Sequence, residues 1–166
     1  MKKIGIYYGS ATGTTEDVAR RIATLLGVAE DDIHNVADTA PDTLGKYEIV
    51  LAGSSTWGDG ELEDDWYSFL DGAQALDLSG RKVATFGCGD ETMSDTFCNA
   101  VGELAARFSE MGAKRIGKFN ADGYHYNHSA AYDDGVMAGL VLDEVNHPEL
   151  TGSRIKAWTE QLRSEF

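Results

Sequence analysis

The sequence predicts an α/β fold in which one parallel sheet is covered by helices on both faces. Short apolar segments rich in β-forming residues alternate with segments whose apolar residues follow helical spacing. The apolar segments are continuous rather than alternating, which indicates strands buried on both faces. Strands that alternate with helices favour a parallel sheet between two helical layers. The pattern therefore predicts a three-layer α-β-α sandwich.

The first half of the chain contains three candidate strands and two candidate helices. KIGIYY predicts the first strand, DDIHNV a weaker second one and EIVLAGSS a buried third one. TEDVARRIATLLG predicts a helix that ends at Gly27, and another helix is expected after TWGDGELED. The apolar residues that we expect on the buried faces of these helices are Val18, Ile22, Leu25, Trp66, Phe69 and Leu70.

The second half continues the alternation and adds a longer excursion. KVATFGCG predicts a fourth strand before a helix, KRIGKF and GLVLDE flank the excursion, and RIKAWTEQLRSEF predicts the closing helix. The expected buried residues of these helices are Phe97, Val101, Leu104, Phe108, Met111, Ile155, Trp158 and Leu162. No internal repeat, low-complexity segment or Pro/Gly-rich linker interrupts the chain, so we expect a single domain over 1–166.

Composition narrows the function classes. The chain has 166 residues, 42% of them apolar, which suits one domain with a substantial core. It carries 28 acidic against 14 basic residues, a net charge of −14, which disfavours nucleic acid and anionic lipid and favours basic protein faces as partners. No apolar segment approaches the ~20 residues of a bilayer span, and no signal-peptide pattern opens the chain. We therefore expect a cytoplasmic protein with no membrane partner.

The cysteines and histidines carry no strong motif. Cys88 and Cys98 lack CxxC spacing, so they are expected to be thiols in a reducing compartment, and Cys88 to be a small packing residue. His125 and His128 lie close together in a tyrosine-rich segment without cysteine. No metal site is expected there. The segment 120–139 is open to two interpretations, a docking surface for partners or a brace for the sheet.

Three unusual loops follow the first, third and fourth candidate strands. A parallel sheet of this kind binds ligands beyond the carboxyl ends of its strands. The loops 9–15, 54–62 and 87–95 are expected at that edge. They are therefore the candidate binding site.

The first loop, GSATGTTE, predicts a phosphate site. Gly9 and Gly13 allow the backbone to turn N–H groups inward, and the Ser and Thr hydroxyls add donors at the start of a helix. The lysine of a nucleotide-triphosphate P-loop is absent, as is a G-x-G-x-x-G dinucleotide motif. An alternative remains, in which Thr14 and Asp17 only form a capping-box-like helix start.

The second and third loops suggest a planar ligand. Trp57 follows a buried strand inside a turn that contains Gly58 and Gly60, so its ring is expected to be exposed at the mouth of the crevice. FGCGDETMSD supplies backbone groups around Asp90 that could hydrogen-bond the edge of a heterocycle. The three loops together predict a ligand with a phosphate at one end and an aromatic ring at the other.

These motifs resemble those of flavodoxins. SATGTT resembles the phosphate loop of the family, TWGDGELEDDW its second flavin loop and FGCGD its third, while DGYHYNHS and GLVLDE resemble the segments around the extra loop of long-chain members. The resemblance covers essentially the whole chain. It implies the family's five-stranded parallel sheet of order 2-1-3-4-5, with the long-chain insertion in the last strand and FMN at the switch point. This order is carried over from the family and is not worked out from the spacing.

The resemblance also implies which residues bind FMN. Residues 10–15 would hold the phosphate, Trp57 would stack on one face of the isoalloxazine, and the backbone of 88–90 would meet its pyrimidine edge. Met93 falls nearest the place where the family has a tyrosine over the second face. The expected cofactor-binding residues are Ser10, Ala11, Thr12, Gly13, Thr14, Thr15, Ser55, Thr56, Trp57, Gly58, Asp59, Gly60, Cys88, Gly89, Asp90 and Met93.

The implied function is that of a low-potential one-electron carrier, which cycles FMN between semiquinone and hydroquinone and turns over no substrate. Its partners would be redox proteins that meet a monomer through basic faces, for example a ferredoxin/flavodoxin-NADP reductase and low-potential acceptor enzymes. Gly58 would let the 58–59 peptide rotate so that its carbonyl accepts a hydrogen bond from protonated flavin N5. The acids expected to crowd the ring and lower the potential are Asp59, Glu61, Glu63, Asp64, Asp65, Asp90, Glu91 and Asp95.

Three other functions share parts of the pattern. A phosphorelay receiver domain needs clustered acids after the first strand and an aspartate at the end of the third, where this chain has Gly9-Ser10 and Ser54-Ser55. An FMN-dependent quinone reductase would use the same phosphate loop and is the nearest alternative. A binding module without flavin is the third.

Overall fold

A computed structural model of the chain describes residues 3–58 and 60–166. Strands and helices alternate along the chain as the sequence predicts, with one short 3₁₀ turn before the second strand and two between the second and third strands. The elements are β1 (Ile4–Gly9), α1 (Thr14–Leu26), β2 (Ile33–Asn35), β3 (Ile49–Trp57), β4 (Glu61–Leu62), α2 (Asp64–Ala73), β5 (Lys82–Cys88), α3 (Asn99–Glu110), β6 (Lys114–Arg115), β7 (Phe119–Asn120), β8 (Tyr132–Asp133), β9 (Val136–Met137), β10 (Leu140–Leu142) and α4 (Pro148–Glu165).

The central sheet has the predicted order. Its neighbouring strands are β2, β1, β3, β5 and β10, all parallel, which corresponds to 2-1-3-4-5 when only the five principal strands are counted. The edge strand is split, because β6 pairs with the start of β5 and β10 with its end. Residues between these two pieces form a small antiparallel sheet of β7, β9 and β8. The fold and the insertion in the last strand are therefore confirmed.

Continuous apolar strands fit this sheet because both of its faces are covered. Ile6 of β1 packs with Val18 of α1 and Trp158 of α4 on one face. Tyr7, the next residue, points to the other face and packs with Trp66 of α2. Burying each large apolar side chain of this kind contributes about 1.5–3 kcal/mol. Helices pack on both faces, as predicted for the three-layer sandwich.

Two glycines allow close packing at the carboxyl edge of the sheet, one against the start of α2 and the other against the neighbouring strand. A Cβ on Gly9 would lie 2.6 Å from Glu63 Oε2 and 2.7 Å from Trp66 Cδ1. A Cβ on Gly87 would lie 2.2 Å from the carbonyl oxygen of Ser54 on the neighbouring strand. Contacts this short are forbidden to a real side chain, so glycine is required where β1, β3 and β5 end.

Several element boundaries differ from the sequence-based expectation. Trp57 is the last residue of β3 rather than part of a turn, because β3 continues into a hairpin in which Trp57 pairs with Glu61 of β4. Leu25 is 40% exposed, and Leu26 packs against the core in its place. Met111 lies just beyond α3, although its side chain is buried as expected. The remaining predicted core residues of the helices are buried.

The closing helix is longer than predicted, since α4 begins at Pro148. Proline suits the first helical position because its missing N–H has no partner there in any case. None of the helices in the described ranges combines the length and apolar character that a membrane span requires.

His34 on β2 makes stability depend on pH. Its Nε2 lies 2.6 Å from Tyr47 Oη, and the Tyr47 hydroxyl donates to Asp32 Oδ1 at 3.0 Å. Burial lowers the pKa of His34 below its ordinary 6.5, and the nearby Asp32 only partly opposes this. The unfolded chain therefore binds a proton more readily, and stability is lost as pH falls from about 6.5 through the lowered folded-state pKa.

We predict that His34→Gln flattens this pH dependence, because an amide N–H still reaches Tyr47 but cannot titrate. Urea unfolding at several pH values between 5 and 7.5 measures the free energy of unfolding at each pH. His128→Gln is the matched control, because His128 is exposed. The His34→Gln protein should lose less stability on acidification than the parent and the control. An identical loss in all three proteins would contradict the assignment to His34.

Candidate functional site

The predicted loops meet at the carboxyl edge of the sheet around two clefts. The first, of about 280 Å³, is lined by Thr12 and Thr14 of the first loop together with Trp57 and Cys88. The second, of about 200 Å³, is lined by Trp57 and Met93 among others. Predicted residues that line one or both clefts are Thr12, Thr14, Ser55, Thr56, Trp57, Gly58, Cys88, Gly89, Asp90 and Met93.

A larger cavity of about 520 Å³ lies at the opposite edge of the sheet, beside Ile4, Leu26 and Phe166. It opens at the amino ends of the strands, where an open parallel sheet does not bind its ligand. Volume alone therefore does not locate the site, and the convergence of polar groups at the carboxyl edge does.

The first loop is arranged to receive an anion at the start of α1. Gly13 is the N-cap in the left-handed conformation, with φ +88°, and no side chain among the described residues caps the helix. Ser10 Oγ accepts the Gly13 N–H at 2.9 Å, and the Thr12 and Thr14 hydroxyls lie 3.4 Å apart. The first N–H groups of a helix have no partner within it and carry its positive dipole end. The capping-box alternative for Thr14 and Asp17 is therefore wrong, and the helix start is open to a ligand.

Thr15 joins the first loop to the second. Its side chain is fully buried, and its hydroxyl lies 2.7 Å from Ser55 Oγ on β3. This contact fixes the start of α1 against the end of the neighbouring strand. Thr15 therefore positions the loop as well as offering a hydroxyl to it.

The arginines of α1 do not reach this loop. Arg20 pairs with Glu16 and Glu30, at 3.2 Å and 2.6 Å. Arg21 pairs with Asp17 at 3.8 Å and with Glu144 at 3.6 Å. Within the described ranges the loop is therefore a cradle of neutral donors, as its sequence indicates.

Trp57 presents its ring at the entrance of both clefts. The side chain is 42% exposed, although it ends a buried strand. The hairpin behind it is tight, since Gly58 and Gly60 have φ of +50° and +99° and the Gly60 N–H donates to the Trp57 carbonyl at 3.0 Å. A Cβ on Gly60 would lie 2.4 Å from Asn99 Nδ2. Asp59, also predicted to bind the ligand, lies outside the described residues.

The third loop is partly committed to internal hydrogen bonds. The sequence suggests that backbone groups of this loop hydrogen-bond a heterocycle. The Gly89 N–H instead donates to the Leu142 carbonyl, at 2.9 Å. Asp90 Oδ1 accepts Asn146 Nδ2 at 2.7 Å and the Thr92 N–H at 2.8 Å. Hydrogen bonds from Thr92 first, and from Asn146, lower the pKa of Asp90 and keep it ionised. Met93 is 55% exposed and free to cover a ring.

Two of the predicted acids turn away from the clefts. Glu63 is buried and caps α2, with Oε2 accepting the Asp65 N–H at 3.1 Å. Burial first, and then the neighbouring Asp65, raise the pKa of Glu63. Glu91 is also buried, beside His147. The expectation that all eight acids crowd the ring is therefore wrong for these two, because helix capping and burial use them.

Sequence reasoning missed the fourth loop of the site. Glu144 and Val145, after β10, line the first cleft, and Thr96 and Phe97 line the second. Glu144 and Val145 could have been predicted, because they follow the last parallel strand, which ends at the same edge of the sheet as the others. No motif in the sequence marks the second pair, although the segment turns back through short-range backbone hydrogen bonds such as that from the Thr96 N–H to the Met93 carbonyl, at 3.2 Å.

The tyrosine-rich segment braces the sheet in part. Tyr124 donates to the Val141 carbonyl at 2.7 Å and packs under Arg154. Tyr126 stacks on Phe97, with ring centroids 5.3 Å apart. Tyr132, by contrast, is 48% exposed and lies at the surface.

Both cysteines are buried thiols, and they should be unreactive in the folded protein. Burial raises the pKa of Cys88 to about 12. The thiolate fraction at neutral pH then falls by on the order of 10³ relative to an ordinary thiol.

We predict that iodoacetamide leaves Cys88 unmodified in the native protein and labels it after denaturation, as mass spectrometry would show. Labelling of native Cys88 at the rate of a free thiol would indicate a reactive residue.

Comparisons with known proteins agree with this geometry. The family described as Flavodoxin matches residues 6–158. The chain is 40% identical over 166 residues to the flavodoxin of Nostoc sp., covering 99% of this chain and 98% of that protein. It is 38% identical over 168 residues to flavodoxin 1 of Escherichia coli K12, covering 100% and 96%. The crystal structure of Fusobacterium nucleatum flavodoxin bound to flavin mononucleotide superposes with a TM-score of 0.91 at 31% identity, covering 100% of this chain and 99% of that one. The chain therefore belongs to the flavodoxin family.

Proposed function

We propose that this chain carries single electrons between redox proteins on an FMN held without covalent attachment in the two clefts. The observation that carries the proposal is that the hydroxyl-lined start of α1 and the exposed ring of Trp57 open onto one cleft. The family supplies the activity, since flavodoxins are electron-transfer proteins that turn over no substrate. Bound FMN supplies stepwise one-electron chemistry. A quinone reductase is not favoured.

The first loop suits the FMN phosphate by the chemistry of its donors. The free N–H groups at the start of α1 and the hydroxyls of Ser10, Thr12 and Thr14 would bind the phosphate oxygens, with Thr15 holding the loop in place. The cradle is neutral, so the helix dipole and the hydrogen bonds bind the charge in place of a lysine. Ala11 and Gly13 complete the loop without adding a side chain that would block it.

The second and third loops suit the flavin ring. Trp57 offers a half-exposed aromatic face for stacking, and Met93 offers a polarizable thioether on the other side of the second cleft. The ring would lie against Thr56, Gly58 and the backbone of Cys88 and Asp90. Ser55 contributes by holding Thr15, and Gly60 by holding the turn behind Trp57.

The charge of the site favours a low potential. Asp90 is held ionised at the cleft, and Glu144 lines it, so negative charge added to FMN is opposed. A carboxylate about 10 Å away costs roughly 0.4 kcal/mol in water and roughly 1.7 kcal/mol at an effective dielectric of 20. Because about 1.4 kcal/mol corresponds to 59 mV for one electron, several acids would lower the second reduction potential by on the order of 100 mV.

The partners follow from the same charge. A net charge of −14 suits docking to basic faces, such as those of a ferredoxin/flavodoxin-NADP reductase and of low-potential acceptor enzymes. We propose that the chain acts as a monomeric single domain over 1–166 in the cytoplasm. Association rates with such partners should fall steeply as ionic strength rises, since screening removes the steering.

FMN binding tests the phosphate site. We predict that Thr14→Val weakens FMN binding by about 10–100-fold, because a hydrogen bond to a charged group contributes about 1.5–3 kcal/mol. Binding of riboflavin, which has no phosphate, should not change. Fluorescence titration of the flavin-free protein measures both affinities, with Thr24→Val, exposed on the same helix, as the matched control. Equal losses for FMN and riboflavin would contradict the assignment.

The Gly58 carbonyl tests the ring site. Gly58 has φ +50°, and a Cβ added to it would lie 3.9 Å from the Glu61 carboxylate. A methyl group therefore fits, but it strains the left-handed backbone. In the proposed site this carbonyl accepts a hydrogen bond from flavin N5 when N5 is protonated. We predict that Gly58→Ala brings the two one-electron potentials closer by a few tens of millivolts, as the loss of about 1 kcal/mol implies.

Redox titration measures this change. Gly80→Ala is the matched control, because Gly80 has φ +83°, open space around it and a position before β5, away from the site. It carries similar backbone strain but should leave both potentials unchanged. Equal shifts in the two variants would indicate that general destabilisation, and not the Gly58 carbonyl, sets the spacing.

A further inference from the structure

A buried cluster of ligand-type side chains lies beneath the third loop. Glu91 belongs to that loop, Asp143 follows β10, and His147 is the N-cap of α4. One potential ligand atom from each residue lies within 4.8 Å of the others. None of the three belongs to the proposed FMN-binding set, so the Glu91–Asp143–His147 cluster is not explained by the function proposed above.

Asp143 is rigidly held. Its Oδ1 accepts the N–H groups of Val145 and Asn146, at 3.0 Å and 2.9 Å. Its Oδ2 accepts the Glu91 N–H at 3.1 Å and Asn146 Nδ2 at 2.9 Å. These donors hold a fully buried carboxylate in one orientation. They occupy the lone pairs of both oxygens, so an ion would bind Oδ2 in place of the Asn146 side-chain amide, which keeps its hydrogen bond to Asp90 Oδ1.

Glu91 lacks a partner that its burial requires. Its side chain is 5% exposed, and Oε2 lies 3.3 Å from His147 Nε2. Its other oxygen, Oε1, is buried with no hydrogen-bond partner within the described ranges. Leaving a buried carboxylate oxygen unpaired is costly, which indicates a group that the protein atoms alone do not supply.

Charge and geometry indicate a divalent cation. Two buried carboxylates face one imidazole, and a divalent ion carries the charge that balances both carboxylates. Imidazole nitrogen with carboxylate oxygen is a ligand set that zinc accepts. Tetrahedral bonds of about 2.0–2.1 Å place neighbouring ligand atoms about 3.3–3.4 Å apart. The 3.3 Å between Glu91 Oε2 and His147 Nε2 matches that separation.

The surroundings of His147 have the form of a metal ligand's environment. Its second nitrogen, Nδ1, lies 3.2 Å from Glu149 Oε1, and a carboxylate in this place fixes the ring orientation of a metal-bound histidine. The side chain is 36% exposed, which gives an ion a path to the buried carboxylates. A water could occupy the remaining coordination position on that side.

We propose that Glu91, Asp143 and His147 bind a divalent cation of the zinc type, with three protein ligands and one open position. The ion would join the third loop, the end of β10 and the start of α4. It would also sit one residue from Asp90, at the edge of the proposed flavin site. The binding itself does not depend on FMN.

Calorimetric titration of the FMN-loaded, EDTA-treated protein with zinc chloride tests the proposal. We expect one ion per chain, and at least 10-fold weaker binding in His147→Ala. His125→Ala, which removes an exposed histidine elsewhere, should bind like the parent. Glu91→Gln should also weaken binding at least 10-fold, and circular dichroism checks that this buried substitution leaves the fold intact.

Two results would overturn the proposal. One is the absence of stoichiometric zinc binding by the parent, which would leave Glu91 and His147 as a simple ion pair. The other is unchanged binding in His147→Ala, a surface variant that should fold whatever happens to Glu91→Gln. The visible absorption of the same sample reports FMN separately. A protein that binds zinc but no flavin would contradict the proposed function and leave this site standing. A protein that binds flavin but no zinc would contradict this site and leave the proposed function standing.

Discussion

Close packing at the carboxyl edge of the sheet, of α2 against the end of β1 and of β3 against the end of β5, is the constraint on which the site depends. Gly9 and Gly87 lie where a single added carbon would meet a neighbouring side chain or carbonyl at 2.6 Å or less. Because these strands end side by side, the loops that leave them converge on one edge. The Thr15–Ser55 contact and the Trp66 side chain, whose indole N–H donates to the Gly53 carbonyl at 2.8 Å, hold that edge together.

The proposed site combines neutral donors at its first loop with acids around its ring clefts. Arg20 and Arg21 are paired with acids, so the donors that the first loop offers are the start of α1 and the loop hydroxyls. Around the ring clefts the balance reverses, since Asp90 is held ionised by its hydrogen bonds. In the proposed function this arrangement would bind the phosphate of FMN and disfavour extra negative charge on its ring, which is what a low-potential carrier requires.

Much of the fold and of the site could be predicted from the sequence, because the signals are local. Continuous apolar strands, helical spacing around Val18 and Ile22, and glycine-rich loops each report their own surroundings. The errors concern long-range contacts. Trp57 was placed in a turn because its pairing with Glu61 requires the hairpin to close. Glu63 and Glu91 were placed at the ring because nothing in the sequence shows that one caps α2 and the other faces His147.

Stepwise anaerobic reduction of the purified protein, followed by visible spectroscopy, tests whether it carries single electrons on FMN. We expect the spectrum of bound FMN and two separate one-electron steps, the second at strongly negative potential. Bound flavin that takes up two electrons in one step would contradict the carrier function and favour the quinone-reductase alternative. A colourless protein that does not take up added FMN would contradict both.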